Sequence, residues 1–127
     1  MKMSFRTALI LVAGIAVGGA ASQALFAQTK APAYVVVAIR KINDADAFKT
    51  GVVDKTSPAA LATAGGKYVV RSQNITSLDG TPPQRFVLIQ FDSVEKAKEW
   101  NDSPAQKEIN AARIKSTDSL SFVVEGM

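Results

Sequence analysis

Two charged residues at the ends of strand-like runs are the side chains best suited to hold a ligand. Arg71 ends the run 67–71 (KYVVR), and Glu125 ends the run 119–125 (SLSFVVE). The planar fork of an arginine matches a carboxylate, and a glutamate can transfer a proton in an active site. The two residues therefore predict a site for a small anionic or aromatic molecule, with Arg71 as its anchor.

The alternation of side chains along each strand decides whether such a site forms. We assume that the faces carrying Tyr68 and Phe122 pack against helices. Arg71 and Glu125 then point to the other side of the sheet. Gln90 joins them there if Phe86 and Leu88, which lie on the same face of its strand, also point to that side. A cavity between two sheets would bring these polar groups together among apolar walls. The competing interpretation is that Arg71 and Glu125 pair with each other or lie at strand ends in water.

Aromatic residues and a further arginine give weaker signals. Tyr34 and Tyr68 could each offer a hydroxyl to a ligand, although tyrosines on strands usually serve packing. Trp100 has the spacing of an apolar helix stripe, so we expect it in the core. We place Arg113 on a helix side that faces solvent or a partner subunit.

The composition excludes several kinds of chemistry. The chain has no histidine and no cysteine. Ser-His-Asp and Cys-His nucleophiles, histidine-bound zinc and haem with a proximal histidine are therefore excluded. Asp44, Asp46 and Asp54 lack the spacing of a calcium loop, so helix capping explains them better. We expect no cofactor and no metal site.

The N-terminal residues have the layout of a secretory signal peptide. Lys2 and Arg6 precede residues 7–29, which carry no charge and include a short, densely apolar run. That run is shorter than the roughly 20 residues that span a bilayer. We expect a cut after Ala24 or Ala27, with a retained membrane anchor as the alternative.

Signal cleavage defines the domain organisation. We expect a signal peptide over residues 1–27, a linker over 28–32 and one domain over 33–127, in the periplasm or secreted. Loss of the signal lowers the formal charge from +4 to +2. The remaining basic residues are interspersed with acids, so we expect no nucleic-acid partner, and no membrane contact after cleavage.

The apolar runs and capping residues predict an α+β fold. Runs rich in β-branched residues predict four strands, at 34–40, 67–71, 85–91 and 119–125. Capping signals predict a two-piece helical segment after the first strand and another after the third, at Asn43-Asp44, Ser57-Pro58, Asp92-Ser93 and Ser103-Pro104. The order β-α-β-β-α-β is the ferredoxin-like arrangement, an antiparallel sheet with the helices on one face.

The first and third strands predict a partner for this sheet. Both carry apolar residues on each face, so whichever face meets the helices, the other exposes apolar side chains. A second copy related by a two-fold axis is the simplest cover, and we expect a homodimer. A cover formed by the loop 72–84 is the alternative.

The ordered motifs of residues 33–126 resemble the family called domain of unknown function 1330. They are Gly65-Gly66 followed by residues 67–71, Phe91-Asp92-Ser93, Ala97, Trp100, Ser103-Pro104, Arg113 and Glu125-Gly126. The resemblance implies a dimeric α/β-barrel fold, in which two ferredoxin-like sheets face each other. It implies no settled activity.

Three functional hypotheses remain open from the sequence. The leading one is a small-molecule binding or accessory module with an inter-sheet cavity, whose ligand residues are Arg71, Glu125, Gln90 and Tyr34. The second is a cofactor-free monooxygenase or isomerase for a small aromatic or lactone substrate, a chemistry known among relatives of that superfamily. The third is a structural dimer without a ligand.

Overall fold

The computed structural model describes residues 31–127. The predicted signal peptide and its two alternative cut sites lie outside the described residues. Within residues 31–127, no helix is long and apolar enough to cross a membrane.

Nine short elements build the described part of the chain. The strands are β1 (Ala33–Ile42), β2 (Lys67–Ser72), β3 (Arg85–Phe91) and β4 (Thr117–Glu125). The helices are α1 (Ala45–Gly51), α2 (Pro58–Thr63), α3 (Val94–Asn101) and α4 (Pro104–Ser116), with a single 3-10 turn at Val53–Lys55. The predicted β-α-β-β-α-β order is confirmed, and each helical segment consists of two pieces.

The helix starts follow from short polar side chains that cap exposed backbone N–H groups. Asp44, Ser57, Ser93 and Ser103 each accept a hydrogen bond from a backbone N–H three residues later. In α2 and α4 a proline occupies the first turn, where no backbone donor is lost. These local signals explain why the two long helical segments break where the sequence predicted.

The turn between α2 and β2 depends on two consecutive glycines. Gly65 has φ of +89°, a conformation that disfavours a side chain. Gly66 donates its N–H to the carbonyl oxygen of Leu61 at 3.0 Å. A Cβ atom on Gly66 would lie 2.7 Å from Cζ of Phe91, so the turn lies directly against the core.

The four strands form one antiparallel sheet in the order β2-β3-β1-β4. Its helix-facing side carries the core, which includes Val35, Ile89 and Phe91, with Leu61 and Ala97 from the helices. Trp100 packs against this cluster, as predicted, with its ring centroid 5.4 Å from that of Phe91. Burial of these apolar surfaces is the main stabilising contribution to the fold.

The other side of the sheet, called here the open face, carries apolar side chains that are only partly covered. Leu120, Phe122 and Val124 on β4 are 37%, 46% and 46% exposed. Val36, Ala38 and Phe86 continue the apolar surface across the neighbouring strands. Ile75 and Pro83 of the loop 72–84 line the same depression, so the loop, which is the alternative cover, reaches part of this face. The expected exposure of apolar side chains is confirmed on β4 of the single chain.

Candidate functional site

A pocket lies between the helix-facing side of the sheet and the helices. Its volume is about 70 Å³. A water molecule needs roughly 10–15 Å³ on this measure, so the pocket holds several waters or one small organic group. Apolar side chains form much of its wall, including Val37, Ile39, Phe48, Val87, Trp100 and Ile109.

Three arginines also line the pocket, and among residues 31–127 no acidic residue lines it with them. Arg71 comes from β2, Arg85 from β3 and Arg113 from α4. The ion pairs within residues 31–127 lie elsewhere, at Arg40–Asp118 and Lys49–Asp54. The described part of the chain therefore offers no counter-ion to the three pocket arginines.

A β-bulge explains why Arg71 reaches this pocket. The pairing of β2 with β3 shifts register between Tyr68 and Val70. Strict alternation would place Tyr68 and Val70 on one face and Arg71 on the other. The shift instead turns Val70 to the open face and Arg71 to the side of Tyr68.

Aromatic rings, rather than carboxylates, contact the guanidinium groups of Arg71 and Arg85. Cζ of Arg71 lies 4.7 Å from the ring centroid of Tyr68, and Cζ of Arg85 lies 5.7 Å from that of Phe48. A guanidinium stacked on a ring face is attracted to it while its edge stays available for hydrogen bonds. Both side chains are thus positioned without an acceptor for their N–H groups from the described residues.

The charges of Arg71 and Arg85 act on each other. Burial lowers the pKa of Arg85, the positive charge of Arg71 lowers it further, and Tyr68 acts in the opposite direction. Two like charges this close destabilise each other unless an anion lies between them. The pair at the mouth of the pocket is therefore suited to a carboxylate.

Arg113 lies deeper in the pocket. It is 8% exposed, and its Nη1 donates to Oγ of Ser119 at 2.7 Å. The hydroxyl of Thr117 lies 2.8 Å from the same Ser119 oxygen. Burial lowers the pKa of Arg113. The prediction that Arg113 faces solvent or a partner subunit is wrong, because α4 turns this residue toward the sheet.

Of the four residues predicted to bind a ligand, only Arg71 lines this pocket. Glu125 is exposed on β4, at the opposite edge of the sheet from Arg71. Tyr34 and Gln90 are register partners between β1 and β3, and both belong to the open face. The four residues are therefore not brought together around one cavity.

The assumption about β4 is wrong. Leu120, Phe122 and Val124 do not meet the helices; they are exposed on the open face. Ser121, on the alternate side, lines the pocket. Of the competing interpretation, the pairing of Arg71 with Glu125 is not observed, because β2 and β4 are the two edges of the sheet. Its other form fits Glu125, which is exposed at the end of β4.

The sequence reasoning missed Arg85 and Arg113, although each has a signal. Arg85 alternates with Val87, Ile89 and Phe91, so it is the charged member of an otherwise apolar strand face. Arg113 follows Ile109 by four residues on α4, which places the two on one side of the helix. Within residues 31–127, no group of three or more potential metal ligands is present.

The fold and pocket define a ferredoxin-like α+β domain with a basic, apolar-walled pocket between its helices and its sheet. The model of the family called domain of unknown function 1330 matches residues 32–127, and the chain belongs to this family. No curated protein matches the sequence.

Solved structures confirm the fold. A protein of unknown function from Rhodopseudomonas palustris is 18% identical, with a TM-score of 0.59, over 83% of this chain and 93% of that chain. A protein from Caulobacter crescentus, provisionally described as an antibiotic biosynthesis monooxygenase, is 15% identical, with a TM-score of 0.52, over 83% and 98%. At these identities the similarity establishes the fold.

Proposed function

We propose that this protein is a binding module for a small organic anion, held in the pocket between the helices and the sheet. The observation that carries the proposal is the presence of three arginines, and no acidic residue, among the described side chains that line the pocket. The apolar wall formed by Phe48, Trp100 and Ile109 favours a ligand with an apolar or aromatic body. The pocket replaces the inter-sheet cavity expected from the sequence.

The arginine pair supplies the anion site. A guanidinium presents five N–H donors, and no side-chain hydrogen bond to another described residue uses those of Arg71 or Arg85. A carboxylate accepts two parallel hydrogen bonds from such a fork. It would also remove the repulsion between the two positive charges.

The alternative function is a cofactor-free monooxygenase or isomerase acting on a small aromatic or lactone substrate. Such a reaction needs a group that takes a proton from the substrate. Glu125 lies outside the pocket, so the phenol of Tyr68 would have to serve. The arginines favour binding over this alternative, because they account for an anion without any proton transfer.

We also propose that two copies pair through their open faces. The exposed side chains of Leu120, Phe122 and Val124 support this pairing. Burying such a patch removes apolar surface from water, and a two-fold axis lets one patch cover its own copy. We further propose that the protein is exported and is periplasmic or secreted. The charge pattern of residues 1–27 supports this location.

Removal of the arginine pair tests the proposed function. In the double variant Arg71→Met/Arg85→Met, we expect the affinity for benzoate and for hexanoate to fall roughly 100-fold or more, because at least two charged hydrogen bonds are lost. Each charged hydrogen bond lost contributes on the order of one to two tenfold steps in affinity. Isothermal titration calorimetry of wild type and variant measures this change.

A matched arginine outside the pocket provides the control. Arg40 is exposed and pairs with Asp118 at 3.7 Å, away from the pocket lining. The variant Arg40→Met should bind both acids as wild type does. An unchanged affinity in the double variant, or no binding of either acid to wild type, would refute the proposal.

A further inference from the structure

The pocket has two separate cationic ends. Arg71 and Arg85 also line a surface opening together with residues 72–74, so they mark the mouth. Arg113 is buried at the other end, where it contacts Ser119. Burial lowers the pKa of both Arg85 and Arg113, and the positive charge of Arg71 lowers that of Arg85 further. Arg113 is therefore electrostatically distinct from the pair.

The strand register sets the separation of the two ends. Arg85, Ile39 and Ser119 are aligned neighbours on β3, β1 and β4. Adjacent strands lie about 4.8 Å apart, so the backbones of Arg85 and Ser119 are roughly 10 Å apart. Apolar Val37 and Ile39 of β1 lie between them and form the floor of the pocket. A cationic group, an apolar span and a second cationic group therefore follow one another across the sheet.

Within residues 31–127, the buried end lacks a full set of hydrogen-bond acceptors for Arg113. The Ser119 hydroxyl accepts one of the five N–H groups of Arg113. Arg113 lies in the last turn of α4, where the helix dipole offsets part of its charge. A buried guanidinium with no carboxylate nonetheless carries a large desolvation cost, which a bound anion would reduce.

We infer that the ligand carries two acidic groups on either side of a short apolar body, one bound by Arg71 and Arg85 and the other by Arg113. The inference rests on the proposed function and specifies its ligand class as an organic dianion, such as a dicarboxylate. Trp100 and Ile109 would contact the apolar body, since both line the pocket with the arginines.

Matched pairs of acids test this inference. Adipate differs from hexanoate, and terephthalate from benzoate, by a second carboxylate at the far end of the same skeleton. We expect wild type to bind at least one dicarboxylate roughly tenfold or more tightly than its monocarboxylate partner, as one additional charged contact predicts. Titration calorimetry at fixed ionic strength measures both members of each pair.

Arg113→Met identifies the second subsite. This variant should lose the preference for the dicarboxylate, whereas Arg40→Met, outside the pocket lining, should keep it. Ser119→Ala, which removes the hydroxyl that orients Arg113, should reduce the preference without loss of charge. Circular dichroism melts test whether each variant is folded. If a variant does not fold, the comparison of dicarboxylate with monocarboxylate binding to the wild-type protein still decides the inference.

The outcomes separate the inference from the proposed function. If wild type binds monocarboxylates but no dicarboxylate more tightly, the inference is wrong and the anion-binding function stands. A dicarboxylate preference that persists in Arg113→Met also overturns the inference, because the arginine pair alone then produces it. If no acid of either kind binds, both are wrong.

Discussion

Replacing Phe122 with glutamate is expected to convert the proposed dimer to a monomer. Phe122 is 46% exposed in the middle of β4, on the open face that we propose as the interface. An unpaired charge buried in an interface costs about 3–5 kcal/mol. A two-fold axis places the substitution in both copies, so the cost occurs twice and the dissociation constant should rise by more than a thousandfold.

Sedimentation velocity over a range of concentrations measures this change. Ile114 is the matched control, because it is 66% exposed on α4, on the helix side of the sheet. Ile114→Glu should leave the dimer intact. A wild-type monomer, or a Phe122→Glu variant that remains dimeric, would show that the open face is not the interface.

Truncating Phe91 to alanine is expected to destabilise the domain by about 3–5 kcal/mol. The ring is 1% exposed, packs against Trp100 and lies against the backbone of Gly66. Truncation leaves a cavity that the rigid glycine turn cannot fill. Because small domains are stable by only about 5–15 kcal/mol, the variant should be close to unfolding at room temperature.

Urea denaturation followed by circular dichroism, at equal protein concentrations, measures the loss. Leu78 is 99% exposed in the β2–β3 loop, and Leu78→Ala should change the free energy of unfolding by less than about 0.5 kcal/mol. A loss below 1 kcal/mol for Phe91→Ala would contradict the described core.

The fold could be predicted from the sequence because its signals are local. Runs of β-branched residues indicate the strands, and Ser57, Ser93 and Ser103 indicate helix starts that depend on neighbouring N–H groups alone. Proline in the first turn of α2 and α4 strengthens these signals. The exposed apolar side chains on one sheet face could also be predicted from the sequence, because both faces of the first and third strands are apolar.

The site could not be predicted, because it depends on which way each strand faces. Simple alternation gave the wrong side for Arg71, since the register shift after Tyr68 arises from pairing with β3. Leu120, Phe122 and Val124 form the more apolar side of β4, so the strand pattern alone favours the helix-facing side for them, and nothing local signals their exposure. The role of Arg113 depends on a contact with Ser119 across the α4–β4 turn.

The error in the predicted location of the cavity follows from these wrong strand orientations. With Arg71 and Glu125 assigned to the open face, the sequence predicted a cavity between two sheets. The structure places Arg71 with Arg85 and Arg113 within one subunit, between helices and sheet. The predicted anchor residue therefore lines a pocket, but a different pocket with different neighbours.

Fluorescence of Trp100 tests the central claim most directly, that the pocket selects an organic anion. Trp100 is the single tryptophan of the chain and lines the pocket. Benzoate and benzamide have nearly the same shape, and only benzoate carries a charge. We expect benzoate to change the emission saturably and to bind roughly tenfold or more tightly than benzamide. Equal binding of benzoate and benzamide, or no saturable change in emission with benzoate, would contradict the claim that the pocket selects an organic anion.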